Sequence, residues 1–332
     1  MRLPAFDYYS PTSIENAIQI KNEFGGSAVI LAGGTDLIVN LKNRVIAPSV
    51  VISLKNLREL RKIDLAGDSL VIGAGASLSQ VACNENVQRH FPILVDAIKH
   101  IGAPSIQRHR GSIGGNLCLN PRCLFYNQSF FWRKGKGSCL RTGGKTCLAL
   151  EKAESCQAIC SADTAPVIVA LSGQLTIVGR AGSRSCSAQE FFTGKGETPF
   201  NLGPDEILTE IRIPIPWAPI SSSYKRLSYR SAIDFPVINA ACVATFEQEK
   251  IFRFRLVVSA AGPAPITLKD LESTFIGREP SQELFSEAEQ AAVRAVEGIV
   301  VDNSIASKQY RVKMAGVMAR RVTQSALTAS RR

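Results

Sequence analysis

Two short stretches, LAGGTDL at 31–37 and RGSIGGNL at 110–117, each set a pair of glycines beside a small hydroxyl residue, Thr35 in one and Ser112 in the other. Glycines let a backbone come close to a ligand and leave consecutive N–H groups facing it, which favours phosphate oxygens, and hydroxyls add donors. A single GG turn is common in any α/β protein. Two such loops, about 80 residues apart, constrain the fold much more: to enclose one pyrophosphate from both sides, the chain between them must return and face both loops into a common cleft. Neither loop has the GxGxxG spacing with a downstream acid, and GAGASL at 73–78 lacks the third glycine, so a Rossmann site is not supported. GGKT at 143–146 resembles the end of a P-loop, but Cys139 stands where the first glycine is required, which argues against ATP there.

Around these loops the chain alternates helix and strand signals. TSIE at 12–15 predicts a capping box, Ile14, Ala17 and Ile18 keep helical spacing, and AVILAG at 28–33 reads as a strand. VVISL at 50–54 is a second buried strand, and KIDLAGDSLVIGAG at 62–75 predicts a hairpin turning at Gly67 and Asp68. FPILVDAIKHIG at 91–102 predicts a mostly buried helix ended by its glycine. Regular structure resumes with APVIVALSGQLTIVG at 165–179, and the prolines and serines of IPIPWAPISSS at 213–223 mark a linker. Beyond it, YKRLSYR, INAACVATFEQ and IFRFRLVVSA read as strands, and SQELFSEAEQAAVRAVEGI and IASKQYRVKMAGVMARRVTQSAL as helices, a separate C-terminal α+β domain.

With 332 residues, 45% hydrophobic and 20% charged, the chain is expected to hold two or three globular domains. The opening MRLPAFDYYS lacks the charged and apolar regions of a secretory signal, and no apolar run approaches a membrane span, so the expected address is cytoplasmic, with no membrane partner. Thiols stay reduced there, and a cluster of cysteines reads as metal-binding or catalytic before it reads as a disulfide framework. The net charge of +11 raises the question of nucleic acid. The charges run along the whole chain with no zinc-finger, RRM or homeodomain pattern, so no nucleic-acid partner is expected, and a basic face for an acidic protein partner fits better.

LAGGTDLIVNLKN, HRGSIGGNL, SADTAP at 161–166, YKRLSYRSAIDFP at 224–236 and the late QYRVKMAG together resemble the FAD-binding medium subunit of the xanthine dehydrogenase and CO dehydrogenase molybdenum hydroxylases, from residue 1 to about 325. The resemblance implies an α+β fold: a two-subdomain FAD-binding domain of the PCMH/vanillyl-alcohol-oxidase-like type, followed by a C-terminal domain with a small antiparallel sheet and helices. Its parts would be 1–56, 57–218 with a cysteine-rich insertion at 117–162, and 219–332. In that family the two glycine motifs wrap the FAD diphosphate. Carried over, this implies Ala32, Gly33, Gly34, Thr35 and Asp36 in the first loop and Ser112, Gly114, Gly115 and Asn116 in the second, with Asp163 near the flavin end and Lys225 reaching the flavin.

The stretch between Leu117 and Ala162 holds six of the nine cysteines, at 118, 123, 139, 147, 156 and 160. Chance burial of thiols absorbs one or two of these. Iron-sulfur and zinc centres both take four thiolates, but the paired C-x2-C knuckles usual for structural zinc are absent. The spacing 123, 139, 147, 156 and its surroundings resemble the insertion in the β subunits of 4-hydroxybenzoyl-CoA reductases. That resemblance implies a 4Fe-4S cluster on Cys123, Cys139, Cys147 and Cys156, with Cys118 and Cys160 outside the ligand set. Residues 120–156 carry seven basic residues against Glu151 and Glu154, a surplus suited to a negative cluster or an acidic donor. Phe131, Trp132 and Tyr126 are expected to pack around the cluster.

Nothing in the sequence resembles a molybdenum-cofactor site or a 2Fe-2S domain. By resemblance, the chain would be the electron-transfer subunit of a three-subunit enzyme, partnered by a molybdopterin-binding large subunit and a 2Fe-2S small subunit. Electrons would pass from a donor such as ferredoxin toward molybdenum in reductive dehydroxylation of an aromatic acyl-CoA. The alternatives are a molybdenum hydroxylase passing electrons outward, or a zinc-stabilised basic binding module. His90, His100 and His109 have little to mark them as catalytic bases: His109 lies between Arg108 and Arg110, which disfavours a protonated imidazole.

Overall fold

The computed structural model describes residues 2–329 as three sheets with their helices. The first sheet is parallel, in the order β1 (Asp7–Tyr9), β3 (Val50–Ser53), β2 (Ala28–Leu31). All four residues of β3 are buried, as expected for the middle strand of a covered parallel sheet. The helix Ile14–Phe24 lays Ala17, Ile18 and Ile20 on this sheet. Its cap is Ser13, whose hydroxyl accepts from the Asn16 N–H at 3.1 Å, one residue later than the expected Thr12 box.

The second sheet has five antiparallel strands in the order β4 (Ile63–Ala66), β5 (Ser69–Gly73), β8 (Ile207–Pro214), β6 (Gln174–Gly179), β7 (Gly182–Ser187). The β4–β5 hairpin turns at Gly67 and Asp68, with Gly67 at φ +61°, a conformation that suits glycine. The helix Pro92–Lys99 buries Ile93, Leu94, Val95, Ala97 and Ile98; it ends at His100, and Gly102 takes φ +48° two residues on.

The third sheet is antiparallel, in the order β12 (Ile266–Thr267), β11 (Lys250–Ser259), β10 (Ile238–Glu247), β9 (Ser221–Leu227). The helix Lys308–Ala329 covers one face, and the helix Gln282–Val296 packs against that helix. The helix Thr164–Ala170 packs on the other, and every one of its seven residues is buried. A helix apolar all round must be surrounded on all sides; this one contacts β10, β11 and the helices Pro92–Lys99 and Ile113–Leu117. Tyr224, Ala241 and Val257 of the third sheet belong to the same apolar core as the second sheet.

Among the described residues no helix is long and apolar enough to cross a membrane.

Candidate functional site

The two glycine loops meet. A Cβ on Gly33 would lie 2.0 Å from the carbonyl oxygen of Arg110, and one on Gly114 would lie 2.6 Å from the Ala74 Cβ and 2.7 Å from its carbonyl. Both positions therefore exclude any side chain. The second loop is held from behind: the Leu78 N–H donates to the Gly111 carbonyl at 2.9 Å, and the N–H groups of Ile113 and Gly114 donate to the Ala76 and Ala74 carbonyls. Ser112 then caps the helix Ile113–Leu117, accepting from the Gly115 N–H at 3.0 Å.

Between the loops opens a cleft of about 760 Å³, within the roughly 300–1,000 Å³ of small-molecule and cofactor sites. Ten of the eleven residues expected at a cofactor line it: Ala32, Gly33, Gly34, Thr35, Asp36, Ser112, Gly114, Gly115, Asn116 and Asp163. Lys225 does not. It alternates with Tyr224 and Arg226 along β9, so while those two turn inward it lies on the opposite face and is exposed.

The neighbouring Arg226 turns inward and backs Asp163 from behind the cleft. Its Nη1 donates to both Asp163 oxygens, at 3.2 and 3.1 Å, and to the His100 carbonyl at 2.7 Å, while the Tyr224 hydroxyl donates to Asp163 Oδ1 at 2.6 Å. The pair is sealed from water, with side chains 2% and 5% exposed. Burial pushes the Asp163 carboxyl up, and the facing Arg226 guanidinium and the Tyr224 hydrogen bond oppose this. Asn116 is engaged from the same side, its Oδ1 accepting from the Thr164 N–H at 3.2 Å and the Thr164 hydroxyl at 2.6 Å. His109 is exposed.

The cysteine-rich segment 117–162 lies beside the cleft. A two-residue bridge pinches its ends: the Arg122 N–H donates to the Ile159 carbonyl at 2.8 Å, and the Ile159 N–H returns to Arg122 at 2.7 Å. Inside, Arg141 is the main clamp. Its guanidinium lies 3.8 Å from the ring centre of the buried Tyr126 and donates to the Pro121 carbonyl at 2.8 Å and to the Asn120 side chain. Phe131 departs from its expected packing role and is 83% exposed.

All nine cysteines are free thiols. Two of the six in the insertion, Cys123 and Cys156, are raised chiefly by burial and slightly by neighbouring thiols. Burial pushes the Cys123 thiol up, backbone N–H groups of Phe125 and Tyr126 oppose this, and Cys147 and Cys139 add to it. Burial pushes Cys156 up to about 11; the Ala158 N–H and Arg141 oppose this, and Cys123 and Cys147 add to it. The Thr142 hydroxyl donates to Cys139 Sγ at 3.6 Å. Cys118 and Cys160 stand apart: burial alone raises Cys118 to about 12, and Cys160, raised to about 11 chiefly by burial, is influenced by Ser259 and Asp163 and by none of those four cysteines. Among the described residues no three His, Cys, Asp or Glu stand close enough for a single ion.

Charge is not spread evenly, as the count of bases alone suggested. Residues 97–150 hold nine of the 39 lysines and arginines and none of the 28 acids, so nearly the whole net charge of +11 arises in the second glycine loop and the insertion.

Residues 4–216 match the family described as the FAD binding domain in molybdopterin dehydrogenase, and residues 222–326 match the CO dehydrogenase flavoprotein C-terminal domain. The chain belongs to the FAD-binding medium subunits of the xanthine and CO dehydrogenase family of molybdenum enzymes. It is 26% identical over 322 residues to the caffeine dehydrogenase subunit beta of Pseudomonas sp. (strain CBB1), covering 97% of this chain and 94% of that one. It is 27% identical over 325 residues to the xanthine dehydrogenase FAD-binding subunit of Escherichia coli O157:H7, covering 97% and 96%. The solved carbon monoxide dehydrogenase from Hydrogenophaga pseudoflava shares its fold, with a TM-score of 0.82 at 24% identity over 98% of both chains. As a family flavoprotein it is an oxidoreductase subunit, and a free-standing zinc-stabilised module is set aside.

The sequence reading missed Arg122, which lines the cleft, and Arg226, which backs Asp163 from behind it. Arg226 was legible from strand alternation in YKRLSYR once Tyr224 is placed inward. Arg122 had no local signal, because its partner, Asp36, is 86 residues away.

Proposed function

We propose that this subunit binds FAD between its two glycine loops and a 4Fe-4S cluster on Cys123, Cys139, Cys147 and Cys156, and conducts electrons between an external donor and partner subunits. What supports the cluster is the concentration of six free thiols between residues 118 and 160, Cys123, Cys139, Cys147 and Cys156 among them, in the basic segment beside the cleft. N–H donors aimed at Cys123 and Cys156 suit thiolates in such a centre. When bound, the two groups exchange electrons between a two-electron and a one-electron carrier.

The protein's own residues do the rest. The close-packed glycine backbones leave room for a diphosphate between the loops, with the Gly114 and Gly115 N–H groups already engaged by Ala74 and Ser112. Asp163, backed by Arg226, closes the cleft with a neutral buried pair, and Tyr126 and Arg141 hold the insertion in place. Molybdenum chemistry and 2Fe-2S centres are assigned to a large and a small partner subunit, in keeping with relatives that are themselves named as subunits. The acid-free, basic stretch 97–150 suits an acidic donor such as ferredoxin, and nine free thiols suit a reducing, cytoplasmic setting.

Electron flow inward, as in a 4-hydroxybenzoyl-CoA reductase, is supported by the thiol centre beside this basic stretch. The relatives named caffeine and xanthine dehydrogenase favour the outward direction of a hydroxylase.

Anaerobic purification with the partner subunits, followed by quantitation of iron, zinc and FAD, tests the proposal. About four irons and one FAD per chain are expected, and Cys139→Ser is expected to lose the iron while keeping most of the flavin. Flavin without metal would remove the cluster and leave the flavoprotein, and zinc without flavin would sink both.

A further inference from the structure

Every acid that lines the cleft has a cationic partner. Asp163 faces Arg226, Glu206 faces Arg184 at 2.6 Å, and Asp234 lies 4.0 Å from Arg230. The fourth acid, Asp36, stands in the first glycine loop, beside the backbone that would meet the diphosphate. Its partner is Arg122, which comes from the cysteine-rich insertion and lines the cleft.

Arg122 is fixed on several sides. Its backbone is locked in the bridge with Ile159, its guanidinium lies 4.7 Å over the Phe235 ring, and Asp36 is steadied from the other side by Asn40 Nδ2 at 3.0 Å. The ion pair is largely shielded, with side chains 20% and 25% exposed. The Arg122 Nε is buried and has no partner among the described residues. Arg122 also lines the cleft, so its positive charge lies beside the place a phosphate would take.

We infer that Arg122 is a positioning residue lent by the insertion to the flavin site: it neutralises Asp36, so that the first glycine loop can accept a negatively charged diphosphate. Without it, Asp36 would present an unpaired carboxylate to the incoming phosphates, and like charges at this range repel strongly in a partly buried site. The inference rests on the cleft being the FAD site. Asp36 then tunes the site through Arg122, so its removal compensates for the loss of Arg122.

The test uses the full chain with its partner subunits, stripped of flavin and titrated with FAD by fluorescence quenching. Arg122→Gln is expected to weaken FAD binding about tenfold, within the 5–150-fold range of typical couplings. Arg122→Lys should retain most of the affinity, and the double variant Arg122→Gln with Asp36→Asn should recover most of what Arg122→Gln loses. Thermal melting of each flavin-free variant separates a folding defect from a binding defect. Unchanged affinity in Arg122→Gln would overturn the inference. So would equal weakness in the single and double variants, since a merely structural arginine is not rescued by removing Asp36. Should Arg122→Gln fail to fold, the comparison of Arg122→Lys with Asp36→Asn and wild type decides it: an affinity for Asp36→Asn well below wild type contradicts charge neutralisation. Failure of the wild-type chain to bind FAD at all would overturn the reading of the cleft, a result distinct from each of these.

Discussion

The glycine cleft and the cysteine insertion lie side by side but are built on opposite terms. The cleft is made of backbone: strands and short helices bring Gly33 and Gly114 so close to neighbouring main chain that no side chain fits. The middle of the insertion is held largely by side chains: Arg141 stacks on Tyr126 and bonds Pro121 and Asn120, and a small apolar cluster of Ile159, Ala260 and Val301, joined by Ala149 and Leu150, lies beneath it, with the backbone pair Arg122–Ile159 tying its ends. A site made of backbone exists before its ligand arrives. One made of a few side chains and thiols leans on what those thiols hold.

Four experiments press on this difference. The largest effect is expected in the floor of the cleft. Asp163→Ala strips the partner from a sealed arginine, and removal of one member of such a pair costs about 3–5 kcal/mol. Chemical denaturation would measure it, and a loss under about 1 kcal/mol would mean that this pair does not hold the floor.

Next comes Gly33→Ala, whose Cβ would meet the Arg110 carbonyl at 2.0 Å. Forcing main chain apart costs roughly 1–3 kcal/mol, and FAD retention should fall with the melting temperature. Retention equal to wild type would show that the loops have room to part.

For the insertion, Arg141→Ala is expected to cost about 1–2 kcal/mol, and locally. Trypsin should nick between residues 123 and 156 while the global transition moves little. A global shift as large as that of Gly33→Ala would erase the distinction between the two regions.

The smallest effect concerns thiols stripped of iron. Burial raises Cys156 to about 11, so its neutral form is retained through pH 8, and the thiolate appears only as the pH approaches 11. Alkylation of Cys156 should be slow at pH 8 in the folded, iron-free chain and fast in the unfolded one, where thiols titrate near 8.5. Equal rates at pH 8 would show that the insertion opens without its metal.

Much of the fold was readable because its signals are local. Strand β3 opens on the apolar run Val50–Ile52, the β4–β5 hairpin turns where Gly67 permits it, and the two C-terminal helices keep their period. The glycine loops were readable for the same reason. What escaped depended on register or on distance. Lys225 faces away because β9 pairs with β10 in a register that sets Lys225 opposite Ala240 and turns Tyr224 and Arg226 inward. Ser13 rather than Thr12 caps the first helix, a one-residue shift that local spacing does not decide. Arg122 meets Asp36 only because the second glycine loop folds against the first.

The buried helix Thr164–Ala170 carries a consequence for how such subunits are recombined. Sequence families divide the chain near residue 220, yet this helix, which lies on the N-terminal side of that divide, finds much of its packing on β10 and β11 beyond it. The Cys160 N–H likewise donates across the divide to the Gly262 carbonyl at 2.9 Å, and Arg226 reaches back to Asp163. A chimera spliced at the linker would join two halves whose facing surfaces were not cut to each other, and its buried helix would keep its packing only if the inner faces of β9 to β11 travelled with it.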